Sequence, residues 1–262
     1  MTVARARYLV HLGWLLFLRD YHLRYRQTYL GSLWAVSKVV LTGLPLVLVG
    51  GHFGMGGDRS PMDYAAFALV GLIIWQIFWD AVISPQWIAR RMRKLCTEIA
   101  FPRAAIVIAG CGYVLFNATI YLVLIGVAML VFQVAPPATL ALGLIALPGL
   151  IVAGLAVGMF FVPLTYVYLD FRYGLPFLSQ FLLWTAPIFY VSQPDQALLY
   201  TINRWNPLTY LIDIPRQWVV AGPTADDWLF APCILAFAGV FVLGARFYRR
   251  AMPLAVERLP QR

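Results

Sequence analysis

The sequence predicts an all-α integral membrane protein with six transmembrane helices, an amino-terminal amphipathic interfacial helix, and short external re-entrant helices before the last span. Three observations carry this reading. Of 262 residues, 62% are hydrophobic and 12% charged, with mean hydropathy +0.77, whereas about a quarter of the residues in a soluble domain are charged. From Ala104 to Leu169, 66 consecutive residues include no Asp, Glu, Lys or Arg. As one helix that run would reach about 99 Å at 1.5 Å per residue, so it crosses a hydrocarbon core of about 30 Å twice. Finally, 17 of the 20 basic residues gather in four segments on one side of the resulting topology.

A single transmembrane domain covers 1–262, divided into an interfacial arm (1–32), a six-span bundle (33–247) and a tail (248–262). In the arm, "YLVHLGWLLFL" has the apolar run of a signal peptide, but no small-residue cleavage site follows and Arg19 interrupts it. Residues 14–26 on a helix bring Trp14, Phe17, Leu18, Tyr21 and Tyr25 within about a 100° arc, with Arg19, His22 and Arg26 beside it. That pattern describes a helix at the membrane surface, its aromatic ridge at headgroup depth and its arginines directed to phosphate or a partner.

The spans follow near Leu33 to Phe53, Tyr64 to Ser84, Ala104 to Gln133, Thr139 to Leu169, Tyr173 to Val191 and Trp228 to Phe247. Pro136-Pro137 breaks the long apolar run between the third and the fourth. In the fourth, Gly154 and Gly158 form a small-xxx-small pair that permits close helix approach. The arm with Lys38, the loop at 85–103, the turn at 170–172 and the tail hold the basic residues; only Arg59, Arg204 and Arg216 fall opposite. Both termini are therefore expected in the cytoplasm. The net charge of +9 then faces anionic headgroups and cytoplasmic partners, and nucleic acid is not needed to explain it.

Two connections are longer than a turn. The loop "PQWIARRMRKLCTEIAFPR" accommodates a short helix from Trp87 to Glu98, with Arg90, Arg91, Arg93 and Lys94 in its middle. Before the last span, Pro194 can open one short helix, and Asn206 with Pro207 can cap and open a second that stops at Gly222-Pro223. Both are too short to cross, so they are expected to lie re-entrant or on the external surface, against protein or a water-filled cavity. Thr224 and Asp227 have the spacing of a capping box for the last span.

Several function classes find no support. The two lysines, Lys38 and Lys94, follow Ser37 and Arg93, so the GxxxxGK[ST] phosphate loop is absent and no cofactor is expected in this chain. Cys96, Cys111 and Cys233 form no CxxC pair, and His11, His22 and His52 are scattered, so neither a disulfide nor a metal site is expected. Lys38 and Asp80 stand inside the first two spans. Lys38 is near enough to the cytoplasmic end to snorkel, and Asp80 reads as an interfacial or bundle-facing residue rather than a proton relay. No convergent acid, base or metal groups point to catalysis.

The string "LRDYHLRYRQTYLGSLWAV" closely resembles the opening segment of permease subunits in ATP-binding-cassette exporters of the polysaccharide and polyol-phosphate branch. Its matching residues are Arg19-Asp20, Arg24-Tyr25-Arg26-Gln27-Thr28, Leu30-Gly31 and Leu33-Trp34, while Tyr21-His22 replaces the aliphatic residue and lysine common in relatives. The resemblance continues at "FPRA", at "NPLTYLIDIPRQWVVAG" and at "FYRRAMPLAVERL". Such proteins export lipid-linked O-antigen, capsule or teichoic-acid chains.

The resemblance implies a bacterial inner-membrane permease that forms a homodimer, with ATP and Mg bound by two copies of a separate ATPase subunit. It implies that Arg90, Arg91, Arg93, Lys94 and Glu98 belong to a coupling helix that meets the ATPase. Arg19, Arg24, Tyr25 and Arg26 would meet the lipid-pyrophosphate headgroup. Trp75, Phe78, Trp79, Tyr113, Tyr121, Trp184 and Tyr190 are candidates for the polymer path, since sugar rings stack weakly on aromatic faces. Asn206, Pro207, Tyr210, Arg216 and Trp218 would form an external gate. A drug or lipid exporter permease, and a membrane scaffold or glycan-modifying enzyme, remain the competing readings.

Overall fold

The computed structural model describes residues 3–26, 28–29, 31–52, 59–93, 95, 102–191 and 197–257. Among them are nine long or short α-helices and no strand: α1 (Val3–Tyr25), α2 (Leu33–His52), α3 (Pro61–Arg91), α4 (Ala104–Val131), α5 (Leu140–Val167), α6 (Leu169–Thr185), α7 (Ala197–Trp205), α8 (Pro207–Val220) and α9 (Phe230–Glu257), the last preceded by a 3-10 turn at Asp227–Leu229. Among the described residues, five segments are long and apolar enough to cross a membrane: Leu33–Gly50, Met62–Arg91, Ala104–Val131, Leu140–Val167 and Asp227–Glu257.

The core is built around α3, which is buried over nearly its whole length and packs against α2, α4, α5 and α8. A helix that is apolar all round belongs inside a bundle. Its start is well capped: Ser60 Oγ accepts from the Asp63 amide at 3.2 Å, its hydroxyl donates to the Asp63 carboxylate at 2.7 Å, and Pro61 occupies the first turn. Against α5 the approach is closest where a side chain is missing. A Cβ on Gly158 would lie 2.5 Å from the Val82 carbonyl oxygen, and one on Gly154 would lie 2.6 Å from the Ala81 Cβ. The glycine pair therefore does set the α3–α5 contact, as its spacing predicts.

Four boundaries differ from the sequence reading, each for a physical reason. The second span does not end at Ser84 with a separate helix starting at Trp87, because α3 continues through Pro85 to Arg91. Pro85 is accommodated against Gly110, where an added Cβ would lie 3.0 Å from the proline ring. The turn expected at 170–172 is the first turn of α6; the chain breaks at Tyr168, which is extended. The helix expected over Tyr173–Val191 accordingly lies at Leu169–Thr185. Pro187 disfavours helical backbone in the residue before it, and Ala186 is extended with ψ 144°. The resulting 17 residues reach about 26 Å at 1.5 Å per residue, just under a hydrocarbon core of about 30 Å. The last helix also outruns its span, staying helical past Phe247 through Arg249 and Arg250 to Glu257, since charge ends a hydropathy window but not a helix.

The amino-terminal helix is longer than its amphipathic stretch and does not rest on lipid alone. It packs along α4 in parallel register: Gly13 meets Ile108, Phe17 meets Gly112, and Tyr21 packs edge-on against Phe116 with centroids 4.9 Å apart. The aromatic ridge expected at headgroup depth is thereby divided, with Phe17 buried, Tyr21 and Tyr25 half-buried and Trp14 exposed. Pairing with Phe116 and Ile108 offers the ridge a protein surface.

Candidate functional site

Where α1, α2, α3, α4 and α6 meet, they enclose a cavity of about 510 Å3. Periodicity explains which side chains reach it. On α3, Gln76, Trp79, Asp80, Ile83 and Trp87 recur at helical spacing, and on α4, Tyr113, Asn117 and Tyr121 lie one turn apart; all line the cavity. Its walls are therefore aromatic, with polar groups set between the rings. Trp75 and Trp79 are stacked, 5.7 Å between centroids and 13° between planes.

Asp80 anchors the polar part. The residue is 3% exposed, and its carboxylate accepts from Asn117 Nδ2 at 2.8 Å and from the Tyr121 hydroxyl at 3.1 Å. Lys38 Nζ lies 3.4 Å from the other carboxylate oxygen, with its own side chain 45% exposed. A buried charge needs such partners, and here two helices, α2 and α4, supply them. Arg24 enters from α1, its guanidinium carbon 4.7 Å from the ring centroids of both Trp87 and Tyr113, an arrangement that holds a cation over aromatic faces. Burial pushes the phenol of neighbouring Tyr25 up from its ordinary value, although Arg24 opposes the shift. This ring remains a neutral hydroxyl.

The residues singled out from the sequence distribute unevenly around this cavity. Of the path candidates, Trp75, Trp79, Tyr113 and Tyr121 line it. Phe78 is packed in the core, Trp184 is exposed beside Phe189, and the Tyr190 hydroxyl donates to the Thr185 carbonyl at 3.0 Å. Of the headgroup set, Arg24 and Tyr25 line the cavity, whereas Arg19 and Arg26 are exposed outside it. Lys38, Gln76, Asp80 and Asn117 were not among the site candidates. The available signal was the i, i+4 spacing of Gln76 with Asp80 and of Asn117 with Tyr121 on two otherwise apolar helices, because an ionisable group at such a position calls for a named partner.

The other two sets occupy opposite ends of the bundle. Arg90 is half-buried at the end of α3, Arg91 pairs with Asp20 of α1 at 2.8 Å, and Arg93 stands over Tyr166 at 5.9 Å. Lys94 and Glu98 lie outside the described residues, as does Pro194. At α8, Asn206 caps the helix by accepting from the Leu208 amide at 3.0 Å, and Pro207 opens it. The Tyr210 hydroxyl donates to the Arg204 carbonyl at 2.9 Å, and Trp218 packs on Phe230. Arg216 is 1% exposed and donates to the Pro187 and Ile188 carbonyls at 2.7 and 2.9 Å, pairs with Asp213, and covers the Phe67 ring at 3.5 Å. This arginine fastens α8 to α3 and to the turn after α6. Thr224 donates to the Asp227 carboxylate at 2.6 Å just before α9, a side-chain pair in place of the expected capping box, since the Asp227 amide turns to the Thr224 carbonyl instead of its hydroxyl.

Among the described residues, no group of His, Cys, Asp and Glu is arranged to hold a metal ion. The chain is 22% identical over 239 residues to the O-antigen export system permease protein RfbA of Klebsiella pneumoniae, covering 89% of this chain and 91% of that protein. The similarity is distant, but it runs nearly end to end. No protein-family profile matches the chain.

Proposed function

We propose that this chain is the membrane permease subunit of an ATP-driven exporter of a lipid-linked polysaccharide, with O-antigen as the glycan. The observation that carries the reading is the cavity: an aromatic-walled, polar-floored space between helices, bordered by Arg24 and Lys38. Aromatic faces suit the apolar C–H faces of sugar rings, and a guanidinium suits phosphate through charge-assisted, forked contacts. The end-to-end similarity to an O-antigen export permease supports the same reading.

In this scheme the chain works as a homodimer in the bacterial inner membrane with both termini cytoplasmic. Two separate ATPase subunits bind ATP and Mg, and the basic residues that follow α3 meet them. Lipid-linked glycan enters beside α1, where Arg24 is held over Trp87 and Tyr113. The helices α7 and α8 form the external gate as re-entrant elements, with Arg216 as the fastener of the closed arrangement. The chain itself carries no hydrolytic step.

The test is ATPase stimulation. The permease, assembled with its ATPase in nanodiscs, is expected to hydrolyse ATP faster when purified lipid-linked glycan is added, and the permease alone is expected to hydrolyse none. Nucleotide turnover by the permease alone, or an assembled complex indifferent to glycan, would overturn the proposal.

A further inference from the structure

Two oxygen atoms in the cavity wall lack a donor. Gln76 Oε1 and Asn117 Oδ1 are buried without a hydrogen-bond partner, in residues 5% and 2% exposed, and both residues line the cavity. Buried polar atoms are nearly always paired in native proteins, so two orphans in residues that line one cavity mark where donors are meant to arrive. Asn117 has little freedom to reverse its amide, because its Nδ2 is committed to the Asp80 carboxylate. The Tyr121 hydroxyl proton is committed to the same carboxylate, which leaves the phenol oxygen only its acceptor capacity. This end of the cavity therefore presents acceptors, with Lys38 already paired to Asp80, while Arg24 presents a cation over Trp87 and Tyr113.

Resting on the reading above, we propose that the Asp80 end of the cavity is a subsite for one hydroxylated ring of the transported molecule. Gln76 Oε1 and Asn117 Oδ1 accept the ring's hydroxyl protons, and Trp79, backed by the near-parallel ring of buried Trp75, offers its carbon face a flat wall. Asp80 is a positioning residue: it does not touch the ring, but it fixes which atom of Asn117 points at it. An anion settles toward Arg24 rather than toward the acceptors around Asp80, whose neighbouring cation Lys38 is already paired, so a ring joined to phosphate has one orientation. A site built to receive hydroxyls discriminates against an analogue that lacks them because its own polar atoms are then left unpaired.

The experiment compares ligands before it compares variants. Binding to the assembled complex in nanodiscs is followed by tryptophan fluorescence for three probes: a polyprenyl pyrophosphate carrying one hexose, the same lipid carrying a hydroxyl-free tetrahydropyran ring, and phosphatidylinositol. The hexosyl probe is expected to bind about tenfold or more tighter than the hydroxyl-free one. In the Gln76→Met, Asn117→Leu double variant that ratio should fall to about one. Asp80→Asn, which frees the Asn117 amide to turn, should lower the ratio at least about threefold. Equal binding of the first two probes by the unmodified protein would overturn the subsite, whatever the variants do, and would leave the exporter reading standing on its glycan-stimulated ATPase. Phosphatidylinositol binding as tightly as the hexosyl probe would assign the site to a ring-bearing lipid headgroup and equally overturn the proposal. Loss of glycan-stimulated ATP hydrolysis in the unmodified complex would instead remove the exporter reading itself.

Discussion

Replacing Asp80 by alanine should loosen the junction of α2, α3 and α4, by an amount that its hydrogen bonds allow to be bounded. The substitution removes the acceptor of Asn117 Nδ2 at 2.8 Å and of the Tyr121 hydroxyl at 3.1 Å, and it leaves both donors buried. A buried donor deprived of its partner costs about 1–3 kcal/mol in soluble proteins. Between membrane helices, measured side-chain hydrogen bonds average about 0.6 kcal/mol and reach about 1.7, because the unfolded chain in lipid also finds partners. The Lys38 contact adds little, since that side chain is 45% exposed and such pairs contribute about 0–1 kcal/mol. The expected loss is therefore about 1–4 kcal/mol. Asp80→Asn keeps one acceptor oxygen and should lose less than Asp80→Ala, and Lys38→Met should lose least. Denaturant titration of the purified protein in lipid–detergent micelles measures the series. The reasoning is refuted if Lys38→Met destabilises as much as Asp80→Ala, or if Asp80→Ala leaves the midpoint unchanged.

Gly158→Leu should separate α3 from α5, because even a Cβ would lie 2.5 Å from the Val82 carbonyl; the expected cost is about 1–3 kcal/mol or more, whereas Gly126→Ala, with nothing near its Cβ, should be neutral or slightly stabilising in the same titration. Charge reversal at Arg91 should release α1 from α3 by breaking the pair with Asp20, and the Asp20→Arg, Arg91→Asp exchange should recover the spectroscopic distance between labels on the two helices. Arg216→Met should free the turn after α6, which the guanidinium holds through the Pro187 and Ile188 carbonyls, and faster amide exchange across residues 186–191 would report it. Charge reversal at Arg90 and Arg93 should uncouple glycan from ATP hydrolysis, since a basic surface seeks a complementary one on the ATPase; undiminished stimulation would reduce both to topology signals.

Most helices were legible because one strong physical signal governs each. The uncharged run broken by Pro136-Pro137 became α4 and α5 nearly residue for residue, and the Asn206-Pro207 start of α8 follows from capping chemistry alone. Reading failed where two signals competed. Pro85 and the arginines after it read as the end of a span, but Gly110 on another helix makes room for the proline, and no local rule reports that. Pro187 carries a local rule, its effect on Ala186, and that rule ends α6 at Thr185 where hydropathy alone runs on to Val191. The cavity was half visible: aromatics on α3 and α4 could be named, but which of them face one space depends on helix rotation. Trp75 lines the cavity and Phe78 the core for that reason. Asp80 drew attention as a lone acid, yet only the register of α3 against α4 shows Asn117 and Tyr121 waiting for it.

In the proposed exporter this chain provides the path for a lipid-linked glycan driven by a partner's ATP hydrolysis. The most direct test is transport in proteoliposomes holding the permease and its ATPase, with labelled lipid-linked glycan supplied on the ATPase side and a lectin trapped inside. Lectin capture that requires both ATP and the ATPase, and that is impaired in the Gln76→Met, Asn117→Leu variant, is the predicted result. Glycan that fails to reach the lectin in the complete system, or that reaches it equally without ATP, would contradict the claim.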